Sequence, residues 1–165
     1  MPLDTSLCIL GVGNTLLTDE AFGVRAMECL RDEWNWPEGV DFVDGGTQGM
    51  GLMPLLLDYA RVVVLDIVRG QCAPGTVYLL ENEDMRKSAS FHDSTHETDF
   101  VDLLLRCELM GRRPEAFVVG FEPFDFSRMS LEMTPGAQAG LRGFCDKAAA
   151  EIARRGWAHP VPRRT

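Results

Sequence analysis

The chain is short of positive charge. Sixteen Lys and Arg stand against 25 Asp and Glu in 165 residues, a formal net charge of −9. Nucleic-acid binders display a basic footprint and membrane-surface helices a basic face, so the balance argues against both classes. No apolar run approaches the ~20 residues that cross a bilayer. Met1-Pro2-Leu3-Asp4-Thr5-Ser6 places no cationic stretch before its apolar run, so a secretory signal is not expected. The five cysteines, at 8, 29, 72, 107 and 145, form no CxxC pair. They suit reduced, mostly buried thiols of a cytoplasmic protein better than a disulfide framework or a thiolate zinc site. HExxH and G-x-S-x-G are missing, and no cysteine sits in the context of an activated nucleophile. The nucleophile is therefore unassigned, and only three histidines, His92, His96 and His159, are available for metal or proton chemistry.

What is present is a regular alternation. Leu7–Gly13 is a short apolar run stopped by glycine and reads as a strand buried on both faces. Asp19 to about Glu33 follows as a helix, with Val24, Met27 and Leu30 on one face and two acids in the first turn. Val40–Val43 is a second strand running into the turn-forming Asp44-Gly45-Gly46-Thr47, and Gly51–Tyr59 has helical spacing. Val62–Leu65, β-branched and ending at Asp66, is the third strand. Thr76–Leu80 is the fourth, only a Gly/Pro turn away, which is too short for a crossover helix and predicts an antiparallel neighbour. A helix from Thr95 or His96 to about Met110, a strand over Ala116–Gly120 and a helix from the Thr134 N-cap to about Arg154 complete the pattern. The expected fold is a three-layer α/β/α sandwich with a five-stranded, mostly parallel twisted sheet and one antiparallel strand. It forms a single domain over 1–156, and 157–165 reads as a loose tail.

In such folds chemistry collects beyond the carboxyl ends of the strands. Gly11-Val12-Gly13-Asn14 resembles the start of a dinucleotide fingerprint, but Leu16 replaces the third glycine. Asp19 and Glu20 would also repel a pyrophosphate at that helix end. The two acids either compensate the helix dipole or place one carboxylate over the sheet edge as a metal ligand or acid/base group. Asp66 is either a hydrogen-bonded strand end or a second such carboxylate. Ser94-Thr95-His96-Glu97 matches a capping box, which would put His96 at a helix N-terminus that keeps its ring neutral, with His92 competing for the role. The remaining acids, Glu122 among them, read as solvated. One Glu, one Asp and one His on three loops suit an oxygen/nitrogen metal site with open positions.

Ile9-Leu10-Gly11-Val12-Gly13-Asn14-Thr15-Leu16-Leu17-Thr18-Asp19-Glu20-Ala21-Phe22-Gly23-Val24 closely resembles the opening of the nickel–iron hydrogenase maturation endopeptidases. The resemblance continues through Asp44-Gly45-Gly46-Thr47, Asp66, Ala73-Pro74-Gly75-Thr76, the His96 region, Val119-Gly120 and Leu131-Glu132-Met133-Thr134-Pro135. It implies a protease that trims the C-terminus of the hydrogenase large-subunit precursor. Glu20, Asp66 and His96 then match the family's nickel ligands, with nickel delivered by the substrate. Asp44, Gly45, Gly46 and Thr47 match a loop implicated in substrate handling. The family usually shows a glutamine and then Gly-Leu after its histidine; here Glu97-Thr98-Asp99-Phe100 follows, so His96 is preferred to His92 by register with Asp102-Leu103-Leu104. The alternative class is a non-catalytic nucleotide- or metal-binding module, such as a metallochaperone, on the same scaffold.

Overall fold

The computed structural model describes residues 6–91 and 99–164. Strand β1 (Leu7–Val12) is buried along its whole length, as its unbroken apolar run predicts for a central strand covered on both faces. It lies between β3 (Val40–Gly46) and β4 (Arg61–Ile67), parallel to both. β6 (Glu115–Phe121) runs parallel to β4, and β5 (Val77–Leu80) closes the edge antiparallel to β6. The order β3-β1-β4-β6-β5 is the expected five-stranded sheet with one reversed strand. The two-residue strands β2 (Trp34–Asn35) and β7 (Val161–Pro162) pair with each other outside it.

Alternation along the strands separates two cores. Leu7, Ile9, Val63, Leu65, Ile67, Phe117, Val119 and Phe121 join a cluster with residues of α1 (Phe22–Glu33) and α4 (Pro135–Arg154). Cys8, Leu10, Val62, Val64 and Val118 face the other way, onto α2 (Met53–Asp58) and α3 (Phe100–Leu109). Period-two side-chain geometry thus turns one sheet into the middle of three layers.

Close backbone approach fixes the start of α1. A Cβ on Gly23 would lie 2.2 Å from the Leu65 carbonyl oxygen and 2.4 Å from that of Val12, so the helix rests directly on β1 and β4 at their carboxyl ends. Gly13 turns the chain there with φ of 140°, and a Cβ on it would meet the Glu20 carbonyl oxygen at 1.8 Å. Phe22 then stacks on Phe121 at 3.7 Å between ring centroids and meets Phe144 edge-on at 4.9 Å, joining α1, β6 and α4.

Three expectations need amendment. The acids at 19 and 20 lie in a 3₁₀ turn (Thr18–Ala21), and the α-helix proper begins at Phe22. Helix α3 does not begin at Thr95 or His96: Asp99 is extended (φ −119°, ψ −173°) and caps a helix starting at Phe100. Asp99 accepts from the Asp102 N–H and the Asp102 side chain accepts from the Asp99 N–H, a capping box that Arg86 holds by bonding both carboxylates at 2.9 Å. The Ser94–Glu97 box itself lies outside the described residues. Finally, the segment after Trp157 is tied down: Ala158 is buried, β7 pairs with β2, and the Arg163 N–H donates to the Glu33 carbonyl at the end of α1.

Gly23→Ala should lower stability by about 1–3 kcal/mol, the scale of overpacking against an unyielding neighbour, read as a lower urea midpoint with an unchanged slope.

Candidate active site

Three buried acids lie toward the carboxyl edge of the sheet: Asp19 in the turn between β1 and α1, Asp66 as the last residue but one of β4, and Glu122 directly after β6. All three accept hydrogen bonds from neutral donors. What each one binds decides which acids are structural.

Asp19 does more than offset a helix dipole. It is fully buried, and its carboxylate accepts from the backbone N–H groups of Phe124 (2.9 Å), Asp125 (3.1 Å) and Thr134 (2.8 Å) and from the Thr134 hydroxyl (2.9 Å). Thr134 in turn caps α4, its Oγ1 accepting from the Ala137 N–H at 3.2 Å. The preceding residue, Thr18, is buried in the left-handed region (φ 50°), a conformation that non-glycine residues adopt only when held. Its hydroxyl donates to the Arg128 carbonyl and its N–H to the Ser130 carbonyl at 3.2 Å, while the Ser130 N–H donates to Leu16 at 2.9 Å. Residues 16–19 and 124–134 are therefore one rigid unit.

That unit presents Glu20. The Glu20 side chain is half-buried, and burial pushes its carboxyl up from the usual range while the Arg69 guanidinium pulls it down. The 3₁₀ turn carrying it packs against β4, the strand that carries Asp66 next to its last residue.

Asp66 is fully buried. Its Oδ1 accepts from the Ile67 N–H (2.8 Å) and the Ser90 hydroxyl (2.5 Å), and its Oδ2 from the Ser88 hydroxyl (2.6 Å) and the Ser90 N–H (2.8 Å). Burial raises its pKa to about 6, against the lowering effect of the serine and backbone donors. A carboxylate has about four lone-pair sites, and here four donors fill them. A cation binding Asp66 must displace one, and Ser90, half-buried where Ser88 is buried, supplies the accessible pair. Carboxylate oxygens alone suit a hard divalent cation, and a neutral imidazole beside them would extend the set to a borderline one.

Glu20 lies on the turn that packs against β4 and Asp66 on β4 itself, both toward the carboxyl edge of the sheet, whereas His96 and its competitor His92 lie outside the described residues. Among the described residues no three His, Cys, Asp or Glu side chains gather closely enough to hold a metal. Asp44, Gly45 and Gly46 belong to β3 rather than to a free loop. The Gly46 N–H donates to Asp44 Oδ1 at 2.8 Å, and its carbonyl accepts from Gly13 at 2.8 Å. Thr47 follows, exposed, so this segment borders the turn that carries Glu20. Glu122 is not solvated: it is 8% exposed and accepts from the Gly70 N–H (2.8 Å) and the Tyr78 hydroxyl (2.7 Å). Its partners lie 52 and 44 positions away, too far for local pattern to reveal.

This arrangement can be set against known proteins. The hydrogenase maturation protease family model (HycI) matches residues 24–151. The chain belongs to that family. It is 32% identical to the hydrogenase expression/formation protein HupD of Bradyrhizobium diazoefficiens over 164 residues, covering 98% of this chain and 84% of the relative. It is 31% identical to the hydrogenase 2 maturation protease of Escherichia coli K12, covering 95% of this chain and 96% of that one. Among solved structures, the hydrogenase maturating endopeptidase HybD from E. coli superposes with a TM-score of 0.83 at 31% identity, over 96% of this chain and 98% of that one. As a hydrogenase maturation protease the chain is a peptidase, and open α/β sheets of this kind collect their ligands beyond the carboxyl ends of the strands.

Two outcomes follow. Asp19→Ala leaves three loop and helix-end N–H groups without their acceptor and should cost about 1–3 kcal/mol, with proteolytic nicking appearing between 124 and 133 under native conditions. For Asp66, the raised folded pKa makes the sign definite: its contribution is greatest below the unfolded carboxylate range and is lost as pH rises through about 6. The stability gap between wild type and Asp66→Asn should therefore move by about 2–3 kcal/mol against wild type between pH 4 and pH 8, measured by urea melts at each pH.

Proposed function

We propose that this protein is the cytoplasmic endopeptidase that removes the C-terminal extension of a nickel–iron hydrogenase large-subunit precursor after nickel has been inserted. The observation carrying this reading is the family match over most of the chain, and the packing of the Glu20 turn against β4, which bears Asp66, supports it. Nickel is part of the substrate here, and it supplies a Lewis-acid centre and a recognition mark near the bond to be cut. Glu20, Asp66 and His96 would hold that mark, and residues 44–47 would border the bound segment.

The roles of the chain's own groups follow from their surroundings. Glu20, raised by burial and steadied by Arg69, is the accessible carboxylate. Asp66 is held in one orientation by Ser88 and Ser90 and gives up the Ser90 hydroxyl bond to engage the cation. Gly13 and Gly23 keep both carboxylates at one edge by letting α1 sit on β1 and β4. Fixing the scissile bond beside an attacking water in this way supplies several kcal/mol of barrier reduction. Carboxylates and a neutral imidazole, with no thiolate, bind modestly and suit an enzyme that must release its product. No helix among the described residues is long and apolar enough to cross a membrane.

Mass spectrometry of the co-expressed large subunit tests the reading. Wild type should shorten nickel-loaded precursor and leave nickel-free precursor intact. Glu20→Gln, Asp66→Asn and His96→Ala should each slow trimming about a hundredfold, the scale on which a misplaced reacting group acts. Normal trimming by all three would refute the ligand set, equal trimming of both precursors the nickel mark, and binding without shortening would point to a carrier.

A further inference from the structure

The large hydrophobic side chains left exposed are not scattered evenly. Ten are exposed among the described residues, and five of them, Leu16, Phe124, Phe126, Met129 and Leu131, fall on the two segments that Asp19, Thr18 and Ser130 bind together. Met129 is 78% exposed and Leu131 70%. Apolar side chains clustered on a rigid support, rather than spread singly, mark a surface that another molecule covers. The support is ordered in advance, so little conformational freedom is lost when it is covered.

Charge narrows the occupant. Arg69 lies with its guanidinium 4.7 Å over the Phe126 ring, at the junction between this ledge and Glu20. It also lines a cavity of about 510 Å³ together with Arg86, Lys87 and Ala89. Arg86 is engaged by Glu83, Asp99 and Asp102, and Lys87 by Asp84. Arg69 makes no direct ion pair among the described residues and acts on Glu20 at longer range, so its guanidinium donors can take a carboxylate of an incoming chain. Its neighbour Gly70 is anchored to the buried Glu122, which fixes the backbone from which the cation projects.

We infer that the ledge of Leu16, Phe124, Phe126, Met129 and Leu131, with Arg69 at its inner end, docks an apolar segment of the polypeptide substrate that carries an acidic side chain or free carboxylate for Arg69. The inference rests on the processing reading and adds to it. The ledge supplies affinity and register independent of the metal, and Arg69 discriminates among substrates by charge.

The probe is a set of labelled synthetic peptides tiling the C-terminal region of the precursor, in metal-free buffer, each made with its acids kept or changed to lysine. Binding is read by fluorescence anisotropy on the full chain. Wild type should bind an apolar, acid-bearing peptide. Phe126→Ser/Met129→Ser/Leu131→Ser should weaken that binding roughly tenfold or more, as loss of central apolar anchors does. Arg69→Glu should weaken it comparably and recover with the lysine version of the peptide. Met129→Ser alone, at the most exposed of the three positions, gives a smaller loss in the same direction and guards against misfolding of the triple variant.

Equal peptide affinity in wild type and the triple variant overturns the docking surface. So does a concentration-dependent dimer of wild type that the triple variant abolishes, because the ledge would then belong to a second copy. The mass-spectrometric assay separates the two levels. Full-rate trimming by the triple variant with undiminished peptide affinity overturns the docking surface alone. Failure of wild type to trim overturns the processing reading, and with it the identity of the occupant.

Discussion

The Asp19 carboxylate is the interaction on which the working edge depends. It sits in a fully buried position and satisfies donors from both ends of the 124–134 segment. Those donors are backbone N–H groups that would otherwise be stranded in a loop with no ladder to join, and an unpaired buried N–H is among the more expensive features a fold can carry. One side chain from the start of the first helix therefore positions a loop more than a hundred residues later. The strained Thr18 is part of the same arrangement, because its left-handed backbone is sustained by the loop that its neighbour anchors.

Placed against that frame, the two acids of the opening motif divide their labour. Asp19 faces inward and is consumed by structure, while Glu20, one residue on, is only half-buried. Asp66 combines both behaviours, fully bonded by Ser88 and Ser90 yet at the strand end where the fold collects ligands. The two readings offered for it from pattern alone are not exclusive. A carboxylate with four donors is pre-oriented, so any new partner must take the place of one of those donors.

Where the architecture was legible from pattern, the reason is that the signal is local. The apolar runs of β1 and β4, the Thr134-Pro135 helix start and the reversed β5 after a short turn are all written within a few residues of where they act. Glu122 and the true cap of α3 were not legible because their partners are distant. Tyr78 lies 44 positions from Glu122, and Arg86 lies 13 positions ahead of Asp99. Arg86 matters physically, since an Asp–Asp capping box puts two like charges together and needs a cation to hold it, a condition that the Ser/Thr–Glu pattern does not encode. The segment after Trp157 was misread for a related reason: proline and arginine suggested looseness, while pairing with β2 supplied order. That Glu20 and Asp66 both fall toward the carboxyl edge of the sheet is legible from the sheet-edge rule.

Asp19, in the turn that follows β1, Asp66, near the end of β4, and Glu122, just after β6, are each buried and bonded by uncharged donors. Hydrogen bonds from amides and hydroxyls stabilise a carboxylate without cancelling its charge. The rim of the sheet therefore carries a standing negative potential set back from the surface, where salt screens it less than it would an exposed acid. A cation or positively charged segment approaching from solution is drawn toward that rim by groups it never touches, and the pull is felt before any contact is made.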